Sequence, residues 1–304
     1  MRIGVDLGGT KIEIALLEAD GTISLRRREW APSGDYQATV RAIAKLVEGV
    51  ESERGIFASV GVGIPGSISP STGLVQNANS TWLIGKPFDI DLGKALRRTV
   101  RVANDANCFA LSEAVDGAGS GYDSVFGVIL GTGAGSGIVF GRKVHVGRHA
   151  IAGEWGHNPL PWPNDNERPG FECYCGRRGC IETFISGPGI ARDHGGSDAA
   201  SIAAAARAGD PRAVATMERY FDRAARSLAH VINLIDPDAI VLGGGLSNID
   251  ALYTELPRRL PAYIFSGADS PPILKNQHGD SSGVRGAAWL WPDQSSPSSV
   301  SSAP

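Results

Sequence analysis

The apolar positions of this chain alternate between two periods. Residues 3–5 form a short apolar run, and Ile12, Ile14 and Leu16 recur at period two, which predicts two strands. Between them Asp6-Leu7-Gly8-Gly9-Thr10-Lys11 makes a tight glycine hairpin. A third strand is expected over 22–26. Tyr36, Val40, Ile43, Leu46, Val47 and Val50 then repeat at helical spacing. Residues 59–64 read as a buried strand stopped by Pro65-Gly66, and 100–103 as another, leading through Asn104-Asp105-Ala106-Asn107 into a helix over 108–114.

The second half repeats the opening. An apolar strand over 125–130 meets Gly131-Thr132-Gly133-Ala134-Gly135-Ser136-Gly137, and 138–140 leads away. A strand, a Gly/Thr turn and a returning strand thus occur in each half, which reads as an internal duplication. A cysteine-rich loop spans 154–182. A helix over 201–208 ends at Gly209, and Asp210-Pro211 supplies an N-cap with Pro at the first position of a helix reaching about 234. Residues 240–242 form a buried strand ending in Gly243-Gly244-Gly245. The tail from Gln294 is mostly Ser and Pro and is expected to be disordered. The class is α/β, with glycine turns at the carboxyl ends of strands, where open α/β sheets place ligands.

Composition narrows the partners. A chain of 304 residues suggests two domains. A net charge of -3 gives no basic excess of the kind that tracks phosphate backbones, so nucleic acid is not expected. No apolar run reaches the length of a membrane span, and residues 1–6 turn acidic without a signal-like stretch, so no membrane association and a cytoplasmic location are expected. Three of the four cysteines, Cys173, Cys175 and Cys180, crowd together, which reads as a metal site more than as disulfides.

Each candidate constellation has a plainer alternative. The Asp6–Lys11 turn offers backbone N–H groups, a hydroxyl and a cation to an anion; it could also be an ordinary hairpin. Asp6 at a strand end suits a Mg²⁺-associated water. Asp105 could orient an attacking hydroxyl and accept its proton, or merely cap the helix that follows. His157 with Cys173, Cys175 and Cys180 forms H-x15-C-x-C-x4-C, a Cys₃His set of the closed, structural zinc type; free thiols or a disulfide are the alternative. Gly176 and Gly179 let the loop bend. Glu154 and Glu182 bracket this set and could accept hydrogen bonds from the hydroxyls of a ligand or lie on a solvated loop face.

In this order the Asp6–Lys11 turn, Asn104-Asp105-Ala106-Asn107, Gly131-Thr132-Gly133, Glu154-Trp155-Gly156-His157 and the 173–180 loop resemble the ROK family of bacterial sugar kinases and sugar-responsive repressors. The resemblance covers about 290 residues, all but the tail. It implies an actin-like ATPase (ribonuclease H-like) fold with two α/β domains flanking a cleft: a smaller one over 1–115 with a returning helix at 285–293, and a larger one over 116–284 with the zinc loop. It implies ATP held by Gly4, Val5, Asp6, Leu7, Gly8, Gly9, Thr10 and Lys11, by Gly131, Thr132, Gly133, Ala134, Gly135 and Gly137, and by Gly243, Gly244 and Gly245 near the adenosine. It implies Asp105 as catalytic base and Gly66, Asn79, Asn104, Asp105, Glu154, His157 and Glu182 as sugar-binding residues, with His157 giving one nitrogen to zinc and the other to the sugar. ATP, Mg²⁺ and a structural Zn²⁺ are the implied cofactors, and a homodimer is expected.

The repressors carry a DNA-binding domain ahead of the first turn, which here begins at Asp6, so the kinase branch is expected. A catalytically inactive sugar-binding or regulatory protein is the other class. Gly63-Ile64-Pro65-Gly66-Ser67-Ile68-Ser69-Pro70, Asn77-Ala78-Asn79-Ser80-Thr81-Trp82-Leu83, His157-Asn158-Pro159-Leu160-Pro161-Trp162 and the 278–286 stretch resemble the manno(fructo)kinase type. The expected reaction is therefore phosphorylation of D-fructose at its 6-hydroxyl, with mannose or glucose weaker. An N-acetylglucosamine kinase or glucokinase is the alternative.

Overall fold

The computed structural model describes residues 1–292, so the Ser- and Pro-rich tail lies outside the described residues. The chain divides into two compact units. One comprises Met1–Cys108 and the segment from Gly283; the other is Phe109–Ser282.

The first unit opens with β1 (Arg2–Leu7), β2 (Lys11–Leu17) and β3 (Ile23–Trp30), an antiparallel meander. β3 runs four residues beyond the expected 22–26 because it pairs with β2 as far as Lys11↔Trp30. Helix α1 (Tyr36–Arg54) starts where the Asp35 side chain accepts a hydrogen bond from Ala38 N. It stops at Gly55, whose φ of 62° a side chain would oppose. Next come β4 (Ser59–Ile64), the small hairpin of β5 (Ser67–Ile68) and β6 (Val75–Gln76), helix α2 (Phe88–Leu96) and β7 (Val100–Asn104). β4 and β7 add in parallel beside β1, giving the order β3-β2-β1-β4-β7. Helix α3 (Asp105–Val115) follows β7 without a loop.

Period two decides the two faces of this sheet. Ile12, Ile14 and Leu16 join Ile3, Val5, Val60 and Val62 in a core with α1 and α2. Ala15 and Leu17 point the other way, onto Val284 and Ala288 of the final helix. That helix lies so close that a Cβ on Gly4 would be 1.9 Å from the Val284 carbonyl oxygen, and one on Gly61 1.8 Å from that of Ala287. These strand glycines are required by packing.

The second unit contains β8 (Ser124–Leu130), β9 (Ala134–Phe140) and β10 (Lys143–Val144), again an antiparallel meander. A long irregular stretch leads to the short helix α4 (Glu182–Ile185), then α5 (Gly187–His194), α6 (Ala199–Arg207) and α7 (Pro211–Ile235). Asp210 caps α7 as expected, its carboxylate accepting from Ala213 N at 2.7 Å. Strand β11 (Ala239–Gly243), α8 (Leu252–Arg259) and β12 (Ile273–Lys275) complete the sheet in the order β10-β9-β8-β11-β12. The apolar face of α7, including Met217, Tyr220, Ala224 and Leu228, packs with Phe126, Val128, Ile240 and Leu242 of the sheet.

Both units therefore share one topology: three antiparallel strands, then two added in parallel next to the first. This is the duplication suggested by the glycine turns, and it is the actin-like, ribonuclease H-like arrangement. The last helix, α9, occupies Ser282–Trp289, starting three residues before the expected 285–293. Its first residue is anchored within the second unit by Glu113. This fully buried carboxylate accepts from Ser282 Oγ at 2.8 Å, Gln277 N at 3.0 Å, His278 N at 3.2 Å and Ala118 N at 3.0 Å. Among the described residues no helix is long and apolar enough to cross a membrane.

Candidate active site

In the first unit, the candidate residues gather at the carboxyl ends of the parallel strands. Asp6 pairs in register with Gly63, and Ile64 with Asn104. The turn after β1 is closed by a 2.9 Å bond from Gly8 N to Lys11 O, and a Cβ on Gly9 would meet nothing within 4 Å, so its backbone is open to a ligand. Thr10 and Lys11 are exposed beside it. Gly4, Val5 and Leu7 are buried in β1, so their backbones support the turn from behind.

Asp6 lies in a confined place. Side chains added at Gly63 or Gly283 would come within 3.6 and 2.9 Å of its carboxylate oxygens. Burial, then the like charges of Asp105 and Glu13, push its pKa up to about 7, against a smaller opposing pull from Arg28. A divalent cation would relieve that repulsion, and this crowded carboxylate fits the expected magnesium-associated role. Asp105 is exposed at the first position of α3, with one carboxylate oxygen 2.8 Å from Ala106 N. The cap itself falls to Asn104, the residue before α3, whose Oδ1 accepts from the N–H of the second helical residue, Ala106, at 2.9 Å; the Asp105 contact is only to the next N–H along the chain. Gly66 packs under the next loop, where a Cβ would be 2.8 Å from Gln76 O and from Ala78 Cβ. Asn79 is exposed on that loop, and its N–H donates to Pro65 O. Trp82 is a packing residue, its Nε1 donating to Thr39 Oγ1 at 3.2 Å.

In the second unit, the residues converge on the β8–β9 turn. Gly131 N donates to Gly133 O at 2.9 Å. One oxygen of Glu182 accepts from Ala134 N at 2.9 Å, and a Cβ on Gly133 would sit 2.5 Å from that same oxygen. From the other side Gly156 approaches Ala134 O so closely that a Cβ would be 2.2 Å away, which seats the 154–157 turn on β9. Glu182 therefore braces the glycine turn with one oxygen, a role its expected part in sugar binding did not include. Gly135 and Gly137 lie within β9. Gly243 packs on the Phe109 ring and Gly244 on Leu130 O, so of this triplet only Gly245 faces open space.

His157, Cys173, Cys175 and Cys180 offer ligand atoms that all lie within 4.8 Å of one another. His157 Nδ1 is 3.5 Å from Cys173 Sγ, and Cys175 Sγ is 3.6 Å from Cys180 Sγ. A tetrahedron with zinc's usual bond lengths has N–S and S–S edges of roughly 3.5 and 3.8 Å, so the set fits zinc with every position filled by protein. Bonds from Leu160 N to Gly179 O and from Cys173 N to Arg177 O fold the loop, and Gly176 and Gly179 take φ of 84° and 72°. The second imidazole nitrogen does not face an open site. Nε2 is 2.9 Å from the hydroxyl of Tyr174.

Tyr174 was missed by sequence reasoning, although an aromatic residue between two cysteine ligands is a visible signal. A cavity of about 160 Å³ joins Thr132, Cys173, Tyr174, Glu182, Ser186 and Arg192. Asn107 carries no role in the sequence reading beyond its place in a motif, yet its Oδ1 is buried without a partner among the described residues. A larger groove, about 420 Å³, lies at the amino ends of the first unit's strands, by Arg2, Ser59 and Arg101, and contains none of these residues.

Known proteins place this geometry. The model of the ROK family matches residues 2–294. The chain belongs to the ROK family, among its sugar kinases. It is 41% identical over 299 residues to an N-acetyl-D-glucosamine kinase of Yersinia pseudotuberculosis, covering 95% of this chain and 98% of the relative. Among solved structures, the ROK hexokinase of Thermus thermophilus superposes with a TM-score of 0.84 at 29% identity, covering 95% of this chain and 96% of that one. The ROK glucokinase of Streptomyces griseus, solved with glucose and AMPPNP, gives a TM-score of 0.75 at 30% identity, covering 95% and 98%.

Proposed function

We propose that this ROK protein transfers the γ-phosphate of ATP to the 6-hydroxyl of an N-acetylated hexosamine, N-acetyl-D-glucosamine. The observation that carries the substrate is the end-to-end similarity to N-acetyl-D-glucosamine kinases. In this reading the two glycine turns offer backbone N–H groups to the phosphates, as the open space at Gly9 permits. Asp105 orients the sugar hydroxyl and accepts its proton as the phosphoryl group moves across; positioning matters more than base strength in so loose a transition state. Asp6 would hold a magnesium-bound water, the metal supplying charge neutralisation at the phosphates. Zinc would be held by His157, Cys173, Cys175 and Cys180 and would fix the loop between Glu154 and Glu182.

D-fructose is a second reading, favoured by the 77–83 and 157–162 stretches, which place Asn79 and Asn158 on exposed loops. A site built around particular hydroxyls or an amide rejects a sugar that leaves its polar groups unpaired, so the two readings separate by rate. The test is kcat/KM for N-acetylglucosamine, fructose, mannose and glucose in a coupled ATP-consumption assay. N-acetylglucosamine is expected to lead by tenfold or more. A tenfold lead for fructose would replace the first reading with the second, and no turnover of any sugar would refute the kinase assignment.

A further inference from the structure

The imidazole of His157 has two nitrogens and, once Nδ1 faces the cysteine sulfurs, a single N–H at Nε2. That N–H meets the Tyr174 hydroxyl at 2.9 Å, and the two rings stand edge to face at 89° with centroids 5.0 Å apart. Tyr174 is 78% exposed, so burial of its ring does not account for its place. An imidazole ligand whose other nitrogen is hydrogen-bonded keeps one tautomer and one ring orientation, and loss of such a partner weakens metal binding. A sugar hydroxyl contacting the same nitrogen must compete with Tyr174 for the one proton.

We propose that Tyr174 is a positioning residue of the metal loop: its hydroxyl holds His157 Nε2 in the sugar-free protein and yields that bond to a hydroxyl of the bound sugar. The yielding step rests on the sugar-kinase reading above; the hold on His157 does not. The exposure of Tyr174 leaves its side chain room to swing away, and the neighbouring Glu154 and Glu182 carboxylates would receive the same sugar. Metal retention and sugar binding are thereby coupled through one N–H.

The experiment uses the full chain loaded with zinc, as wild type and Tyr174→Phe, which keeps the ring and removes only the hydroxyl. Zinc release to excess chelating dye is timed without sugar and with saturating N-acetylglucosamine or fructose, and sugar affinity is measured by calorimetry. Without sugar, Tyr174→Phe is expected to release zinc about 10- to 100-fold faster. With saturating sugar the two proteins are expected to release it at equal rates, and the variant is expected to bind sugar at least as tightly. Equal release without sugar overturns the proposal, as does a chain that takes up no zinc. A difference undiminished by sugar, or sugar binding tenfold weaker in the variant, overturns the exchange. If wild type binds neither sugar, both substrate readings fail, while the sugar-free arm still decides whether Tyr174 holds His157.

Discussion

Gly133→Ala tests the brace between Glu182 and the β8–β9 glycine turn. The new Cβ would lie 2.5 Å from the Glu182 oxygen that accepts from Ala134 N. Ordinary contact needs roughly 3.4 Å, so the carboxylate must retreat by about 0.9 Å, enough to break a 2.9 Å hydrogen bond. The side chain is flexible, so the clash itself costs little; the loss is the bond. A hydrogen bond to a charged group contributes about 1.5–3 kcal/mol. In a unit of this size that lowers the melting temperature by roughly 3–12 °C. The assay is a double-mutant cycle by thermal and urea unfolding with Gly133→Ala, Glu182→Ala and the pair. Both single changes remove the same bond, so the double variant should fall short of additivity by about the energy of that bond. Strict additivity would refute the brace, whatever the activity shows.

Asp105→Asn is expected to lower kcat by about 10²- to 10⁴-fold with a smaller change in sugar affinity, and an Asn enzyme with near wild-type kcat would remove the base assignment. Elemental analysis should find one zinc per chain, and Cys175→Ser should lower thermal stability and sugar affinity together; an active, metal-free protein would exclude the site. Asp6 gives a pH signature. Its folded pKa near 7 lies above the ordinary 3.8, so the folded state holds a proton that the unfolded state has released between those values. Stability without nucleotide and magnesium should therefore fall, by a few kcal/mol at most, as pH rises from about 4 to about 7 and level off above. Asp6→Asn should abolish that slope and be the more stable protein at pH 8, as urea unfolding at a series of pH values would show.

Much of the local structure is written in the chain itself. Period two at Ile12, Ile14 and Leu16, the Asp210-Pro211 start of α7 and the glycine turns after β1 and β8 depend on neighbours a few residues apart, so the sequence alone determines them. The candidate metal set is legible for the same reason: Cys173, Cys175 and Cys180 with His157 upstream match the spacing of a closed Cys₃His site. What each group touches is another matter. Gly4 and Gly61 fall in strands that the sequence predicts, but the reason they are glycine appears only when α9, from the far end of the chain, packs its backbone against them. Gly243 reads as part of a nucleotide turn, and only packing shows that its missing side chain also makes room for the Phe109 ring. Glu182 reads as a sugar ligand, and only packing reveals the Ala134 N–H 48 residues away that occupies one of its oxygens. His157 reads as a residue with a spare nitrogen, and folding fills that nitrogen with Tyr174. Periodicity and turn chemistry act over one or two helical turns; hydrogen-bond partners and close backbone approaches are chosen by tertiary packing, which no local pattern encodes. The sugar falls between the two: the local stretch at 77–83 points to fructose, whereas similarity over the whole chain points to N-acetylglucosamine.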